Sequence, residues 1–362
     1  MKILFLNTNI GYGGASKMMA EVANNLCRSH EVTLLTFRDS SLSQSLAPEI
    51  NHVHNPLYSH KIKVLEMAGQ IRALHKYLKR ERFDLAVAFL HPSHYMLTLA
   101  AKGTKTKVLL SERGDPYSRR NGGLFVRAVE KVIQRADAYV FQSEGARDAY
   151  PKKCRKKGRV IVNALPKKEL PRHCPETAEK VIVHVARMEL IQKRQDVMLR
   201  AFARFLETHP DYTLRFLGDG PEEEDMKRLA EELGVAGSVE FLGACKNVPQ
   251  LIVNAEMFVL TSDYEGLPNA VLEAMAVGLP CISTDCSPGG ARMIIEDGQN
   301  GFIVPCGDAE SLADRMSRLA DDASLRKQYS ERAVRSLDRF DQAAVNAEWQ
   351  TFVEQIGSSK KR

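Results

Sequence analysis

From Met1 to Phe37 the chain reads MKILFLN, then GYGGASKMMAEVANNLCRSH after a short spacer, then EVTLLTF. An apolar run of strand length leads through a glycine turn into a helix-period segment and back to an apolar run. Runs with little polar alternation suit strands covered on both faces, and two such strands joined through a helix lie parallel. The order then repeats: a basic helical stretch from about Lys61 to Arg82, the strand DLAVAFL, a helix near Tyr95 to Lys102, the strand KVLLSE, the helix FVRAVEKVIQRA, and the strands DAYVFQS and RVIVNAL. Such alternation predicts an α/β fold with a parallel sheet and helices on both faces.

Residues 164–180, ALPKKELPRHCPETAEK, interrupt the pattern with three prolines and read as a linker. A second series follows, from VIVHVAR through YTLRFLG, SVEFLG, MFVLTS and PCISTDC to GFIV. At roughly 100 to 200 residues per domain, a 362-residue chain fits two doubly wound halves. The expected domains are 1–165 and 166–340, with 341–362 forming a final helix and polar tail. That helix either packs on the second half or crosses back to the first.

The first 170 residues hold 29 Lys and Arg against 14 Asp and Glu, although the whole chain is only +6. A basic half facing an acidic one suits an anionic ligand or surface. Without aromatic residues interleaved among the basic clusters, nucleic acid is not the expected partner. Seven cysteines, none in a CxxC pair, are expected to be reduced packing residues. No metal site is expected at Cys281 and Cys286, or at His91 and His94, because neither pair has further ligands at a suitable spacing. The opening has too short an apolar run for a secretory signal, and no run approaches ~18 apolar residues. A cytoplasmic protein is expected.

Three segments carry candidate chemistry. Gly11, Gly13 and Gly14 follow the first strand and precede a helix, where bare backbone amides can approach a phosphate; an ordinary tight turn reads the same way. Arg187 and Lys193 follow the first strand of the second half, and two cations there suit a diphosphate. Third is DYEGLPNAVLEAMAVGLP, in which Glu265 lies in a turn, Pro268 suits a first helical position, and Leu267, Asn269 and Ala270 offer amides at a helix start. Glu273 falls one turn inside that apolar helix, where a carboxylate needs partners: an Arg, or the two adjacent hydroxyls of a ribose.

Glu265 and Glu273, with seven residues between them in EGLPNAVLEAMAVGLP, resemble the E-x7-E motif of the retaining glycosyltransferases of family 4, which have the GT-B architecture of two Rossmann-like domains facing a cleft. GG at 13 and 14, AR and K at 186–193, GDGP at 218–221, FLG at 241–243 and STDCSPGGARMIIEDGQNGFIV at 283–304 fall in the family's order, so the resemblance covers nearly the whole chain. It implies that Glu265 lies near the donor sugar, Glu273 binds the ribose, and Arg187 and Lys193 hold the diphosphate. Gly13, Gly14, Gly218, Gly243, Gly266, Leu267, Asn269 and Ala270 would border the donor. The donor would be a nucleoside-diphosphate sugar, UDP-linked on family frequency, with no metal required.

One departure stands out. Many relatives carry a histidine where this chain has Arg113, and a guanidinium serves as an anion holder, not a base. His91 is a second candidate at the sugar. The resemblance further implies a glycan or polyprenyl-diphosphate-linked acceptor of bacterial surface-glycan synthesis. The basic first half, through Lys61, Lys63, Arg72, Lys76, Lys79, Arg80 and KKCRKKGR at 152–159, would rest on the inner face of the cytoplasmic membrane. A GT-B sugar-nucleotide epimerase and a catalytically silent GT-B binding subunit are the alternatives.

Overall fold

The predicted strands pair in two separate sheets. The computed structural model describes residues 1–7, 14–37, 45–54, 63–119, 123–165 and 170–359. They divide into two units, Met1–Ala164 with Ala343–Arg362, and Leu165–Gln342.

In the first unit the strands are β1 (Lys2–Asn7), β2 (Glu31–Thr36), β3 (Asn51–His54), β4 (Leu85–Phe89), β5 (Lys107–Glu112), β6 (Ala138–Phe141) and β7 (Gly158–Val160). They lie in the order β3-β2-β1-β4-β5-β6-β7, all parallel. The apolar runs of β4, β5 and β6 are buried at every position, as strands covered on both faces must be. Not anticipated was β3: NHVH has no apolar alternation, and it is tolerated because it forms the sheet edge. The helix expected near Tyr95 to Lys102 runs from His91 to Ala100, with a proline in its first turn.

The C-terminal helix, Gln342–Ser358, belongs to this first unit. Trp349 is fully buried on it and stacks on Phe89 at 5.9 Å between ring centroids. Lys107 reaches the helix's last carbonyls, at 2.7 Å from Ile356 O and 2.8 Å from Gly357 O, where the helix dipole favours a cation.

The second unit contains β8 (Glu179–Val185), β9 (Thr213–Leu217), β10 (Val239–Phe241), β11 (Ala255–Leu260), β12 (Cys281–Thr284) and β13 (Phe302–Val304), ordered β10-β9-β8-β11-β12-β13. These pairs are also parallel. In each sheet the strand order reverses once, between β1 and β4 and between β8 and β11. In open parallel sheets ligands bind beyond the carboxyl ends of the strands at that reversal. No helix among the described residues is long and apolar enough to cross a membrane.

Candidate functional site

At the reversal in the second unit, the segment after β8 and the turn after β11 are cross-braced. Asp263 N donates to Gln192 O at 2.9 Å, and Gln192 Nε2 donates to Tyr264 O at 3.0 Å. Arg194, whose φ of 51° is left-handed, reaches Asp263 Oδ2 at 3.0 Å. The turn after β12 closes the far side, with Glu265 N donating to Ser287 O at 2.7 Å and Ser287 N to Asp263 O at 3.1 Å. Three strand ends thus fix the backbone of Glu265.

The side chain is fixed as well. Lys193 and Glu265, 72 residues apart in sequence, form an ion pair with side chains only 15% and 13% exposed. Ser262 Oγ donates to the same carboxylate oxygen, Oε1, at 2.9 Å. Oε2 has no protein partner among the described residues. A carboxylate with one oxygen held and one open can accept a hydrogen bond from a hydroxyl placed beside it. The sequence suggested Lys193 as a mobile charge beside Arg187; instead it is tied to Glu265, while Arg187 is exposed and pairs with Glu189.

Behind the pair lies His184, a polar residue inside the buried run of β8. Thr261 donates its only hydroxyl proton to Lys193 O at 2.8 Å, so at the 3.1 Å contact with His184 Nε2 it must accept. His184 is therefore the Nε2–H tautomer. Sequence reasoning passed over it, although a histidine among β-branched residues in VIVHVAR is a signal of a buried polar tie.

Helix Asn269–Val277 begins one residue later than expected, with Pro268 at its N-cap. The helix amides therefore start at Asn269, and Leu267 precedes the cap. Val271, Leu272 and Ala274 to Val277 are buried, whereas Asn269, Ala270 and Glu273 are half-buried. Residues 269 and 273 are one turn apart on one face, so three of the candidate donor residues form the accessible stripe of this helix. Gly290 packs on this turn: a side chain there would run into Gly266 O and Leu267 Cα. Gly218 and Gly243 meet at the ends of β9 and β10, where Gly218 N donates to Gly243 O at 2.7 Å.

In the first unit, Gly11 and Gly13 lie outside the described residues, as does Lys61. Gly14 opens the helix Gly14–Leu26. His91 follows Leu90, whose φ of 70° is a strained conformation for a side-chain-bearing residue at the reversal of strand order. Its Nε2 lies 3.5 Å from Glu130 Oε1. Arg113 is buried, not open to solvent as an anion holder would be. Its Nε donates to Ser111 Oγ at 2.8 Å and its Nη1 to Asn163 Oδ1 at 2.7 Å, with the guanidinium 5.5 Å from the Phe89 ring and 5.4 Å from the Trp349 ring. Burial pushes its pKa down to about 9, so it stays a cation near neutrality. The sequence did not single out neighbouring Glu112. Burial alone would push this carboxyl up, but Arg119 at 2.6 Å and Tyr150 at 2.6 Å outweigh it and hold it down at about 2.

Two buried histidines make the fold acid-sensitive. Burial pushes His94 down to about 4 and His184 down to about 3, from an ordinary 6.5. The unfolded chain takes up protons near pH 6.5 while the folded imidazoles resist. Stability is therefore fully present above that pH and is lost as the pH falls through the window toward 4 and 3. Below pH 4.5 Glu112 adds to the loss in the same direction. Urea midpoints measured between pH 7.5 and 4 should fall steadily, and His184→Gln should flatten the slope; a pH-independent midpoint would contradict both assignments.

Two family models match adjoining stretches of the chain: Glycosyltransferase Family 4 over residues 12–166 and Glycosyl transferases group 1 over residues 167–336. An α-1,4-N-acetyl-D-galactosaminyltransferase of Campylobacter jejuni, whose name includes a PP-undecaprenol-linked acceptor, is 24% identical over 98% of this chain and 99% of its own. A 202-residue stretch is 35% identical to an exopolysaccharide phosphotransferase of Streptomyces coelicolor, covering 56% of this chain and 21% of that protein. The crystal structure of Anabaena HepE with UDP-glucose superposes with a TM-score of 0.82 at 21% identity, covering 98% of this chain and all of that one. That likeness establishes the two-domain GT-B fold.

Proposed function

The chain belongs to the family 4, group 1 glycosyltransferases, and from that premise we propose that it moves a hexose or N-acetylhexosamine from a UDP-sugar to a lipid-linked glycan acceptor, with retention at the anomeric carbon. The Lys193–Glu265 pair at the reversal of strand order carries the reading. Breaking the bond between the sugar and the diphosphate sends its electron pair to the leaving UDP. That developing charge meets Lys193, held in advance by Glu265 and the Thr261 tie, and Arg187, whose exposure lets it close on a phosphate. In this reading the two cations fill the place a divalent metal takes elsewhere.

Glu265 Oε2 accepts from a sugar hydroxyl, and Glu273, on the accessible stripe with Asn269 and Ala270, accepts from the ribose. Because Lys193 neutralises Glu265 and Glu273 has a binding role at the ribose, neither glutamate is cast as a nucleophile; a donor phosphate oxygen takes the acceptor's proton. His91 is read on the acceptor side, whereas Arg113, buried against Phe89 and Trp349 and donating to Ser111 and Asn163, is read as a cation that orders the site from behind. The names of the Campylobacter relative and the Anabaena complex support the acceptor class and the donor base. A polyprenyl-diphosphate acceptor also puts the enzyme at the inner face of the cytoplasmic membrane.

A panel of sugar nucleotides tests this. The cognate donor at ~100 times its Kd should stabilise the protein by about 2.7 kcal/mol in a thermal melt. UDP should then be released rapidly only once an acceptor is added. Equal stabilisation by GDP-, ADP- and UDP-sugars, or fast UDP release without acceptor, would count against transfer from a UDP-sugar.

A further inference from the structure

We propose that helix Leu124–Ile133 of the first unit is a membrane anchor that enters the anionic leaflet by its N-terminal tip. This rests on the reading of a lipid-borne acceptor, and it differs from the basic clusters the sequence suggested. Leu124 is 84% exposed and Phe125 63% exposed, two consecutive large apolar side chains that no described residue covers. The opposite side of the helix is held to the body: Val129 and Ile133 are buried, and Glu130 lies 3.5 Å from both Arg119 Nε and His91 Nε2. The helix's one carboxylate thus points inward and is paired.

The outward stripe is Leu124, Arg127, Ala128 and Lys131, continued by Arg135 just past the helix end; all five are exposed. These positions fall at i, i+3, i+4, i+7 and i+11, one face of a helix. No carboxylate pairs with Arg127, Lys131 or Arg135 among the described residues. At 1.5 Å per residue, Arg127 lies ~4.5 Å and Lys131 ~10 Å behind Leu124 along the axis. A headgroup layer is roughly 5 to 8 Å deep on each side of a ~30 Å hydrocarbon core. With the apolar tip just below that layer, the cations sit level with the lipid phosphates. An apolar protein partner would match the tip and leave three cations facing nothing, so an extended anionic surface is the better complement.

The helices suggested by sequence lack one half of this combination. In helix Lys63–Glu81, Arg80 pairs with Glu81 at 2.9 Å, and in the 152–159 cluster Arg155 lies 3.5 Å from Asp148. Among the described side chains, neither brings a consecutive pair of exposed apolar residues to its cations, Leu65 of the first being exposed singly.

Co-sedimentation of the full chain with vesicles of phosphatidylglycerol and phosphatidylcholine, against phosphatidylcholine alone, tests the proposal. Binding should require the anionic lipid and weaken with salt. Leu124→Ser with Phe125→Ser should reduce it about tenfold or more, and Arg127→Glu with Lys131→Glu should remove the preference for phosphatidylglycerol. Thermal stabilisation by UDP should be unchanged in both variants, showing that they fold and keep the donor site. Wild-type protein that ignores vesicles, or binds them equally well without Leu124 and Phe125, overturns the proposal. So does vesicle-free self-association that the Leu124/Phe125 variant abolishes, which would assign the tip to a second copy. If the helix binds vesicles but only water-soluble acceptors are used, the anchor stands and the lipid-linked acceptor falls.

Discussion

Lys193→Ala is expected to lower kcat for sugar transfer by about 100- to 1,000-fold, the effect of removing one preorganised donor from the charge that develops in a transition state. The half-buried ammonium contacts Glu265, and its own backbone carbonyl is held by Thr261. In the proposed mechanism its removal deletes a cation that meets the leaving diphosphate, and it leaves Glu265 Oε1 with only the Ser262 hydroxyl. Glu265→Gln separates these two effects. The amide can still accept from Ser262, but it no longer holds Lys193 by charge, so kcat should fall while UDP affinity changes little. A loss seen only in KM would mean that Lys193 binds ground state and transition state alike, and the catalytic assignment would then fail. The double variant should cost much less than the product of the single losses, because the two residues act as one unit.

Glu112→Ala should be the most destabilising single substitution in the first unit, by about 3 to 5 kcal/mol, the usual cost of leaving one partner of a buried ion pair. Three groups lose their acceptor at once: the Arg119 guanidinium, the Tyr150 hydroxyl and the Gly114 amide, which donates to Glu112 Oε1 at 3.1 Å. For a unit of this size the thermal midpoint should drop by about 6 to 20 °C. Glu112→Gln, which keeps an acceptor oxygen, should lose less. Calorimetry with and without UDP locates the effect: the first unit's transition should move while the UDP-dependent shift of the second remains. Equal midpoints for wild type and Glu112→Ala would mean that Arg119 and Tyr150 find other partners at no cost.

The periodicity of the chain carried the fold class because both sheets are parallel and covered on both faces, so their strands are apolar throughout and stand out between amphipathic helices. β3 escaped because an edge strand need not be apolar. Helix starts were off by one residue at Pro268 and by four at His91; a proline close to a helix start does not say which turn residue is the cap. The two glutamates and the glycine turns could be marked from spacing alone, since short-range motifs encode local backbone geometry.

Which groups those glutamates meet was not legible. Glu265 meets Lys193 only because β8 and β11 are neighbours at the reversal of strand order. The same holds for Arg113, which looked like an exposed anion holder until the C-terminal helix brought Trp349 over it. Nothing in the sequence set Leu124 and Phe125 apart at the start of their helix, and only the packed structure shows that no described neighbour covers them. By itself, then, the sequence determined two doubly wound α/β halves and their motifs, because these follow from local periodicity and turn chemistry, and the class of chemistry followed from the motifs' resemblance to a family. Tertiary structure decided the pairings, the burial of each charge and the uncovered helix tip, because contacts between residues tens of positions apart depend on strand order, which no local pattern records.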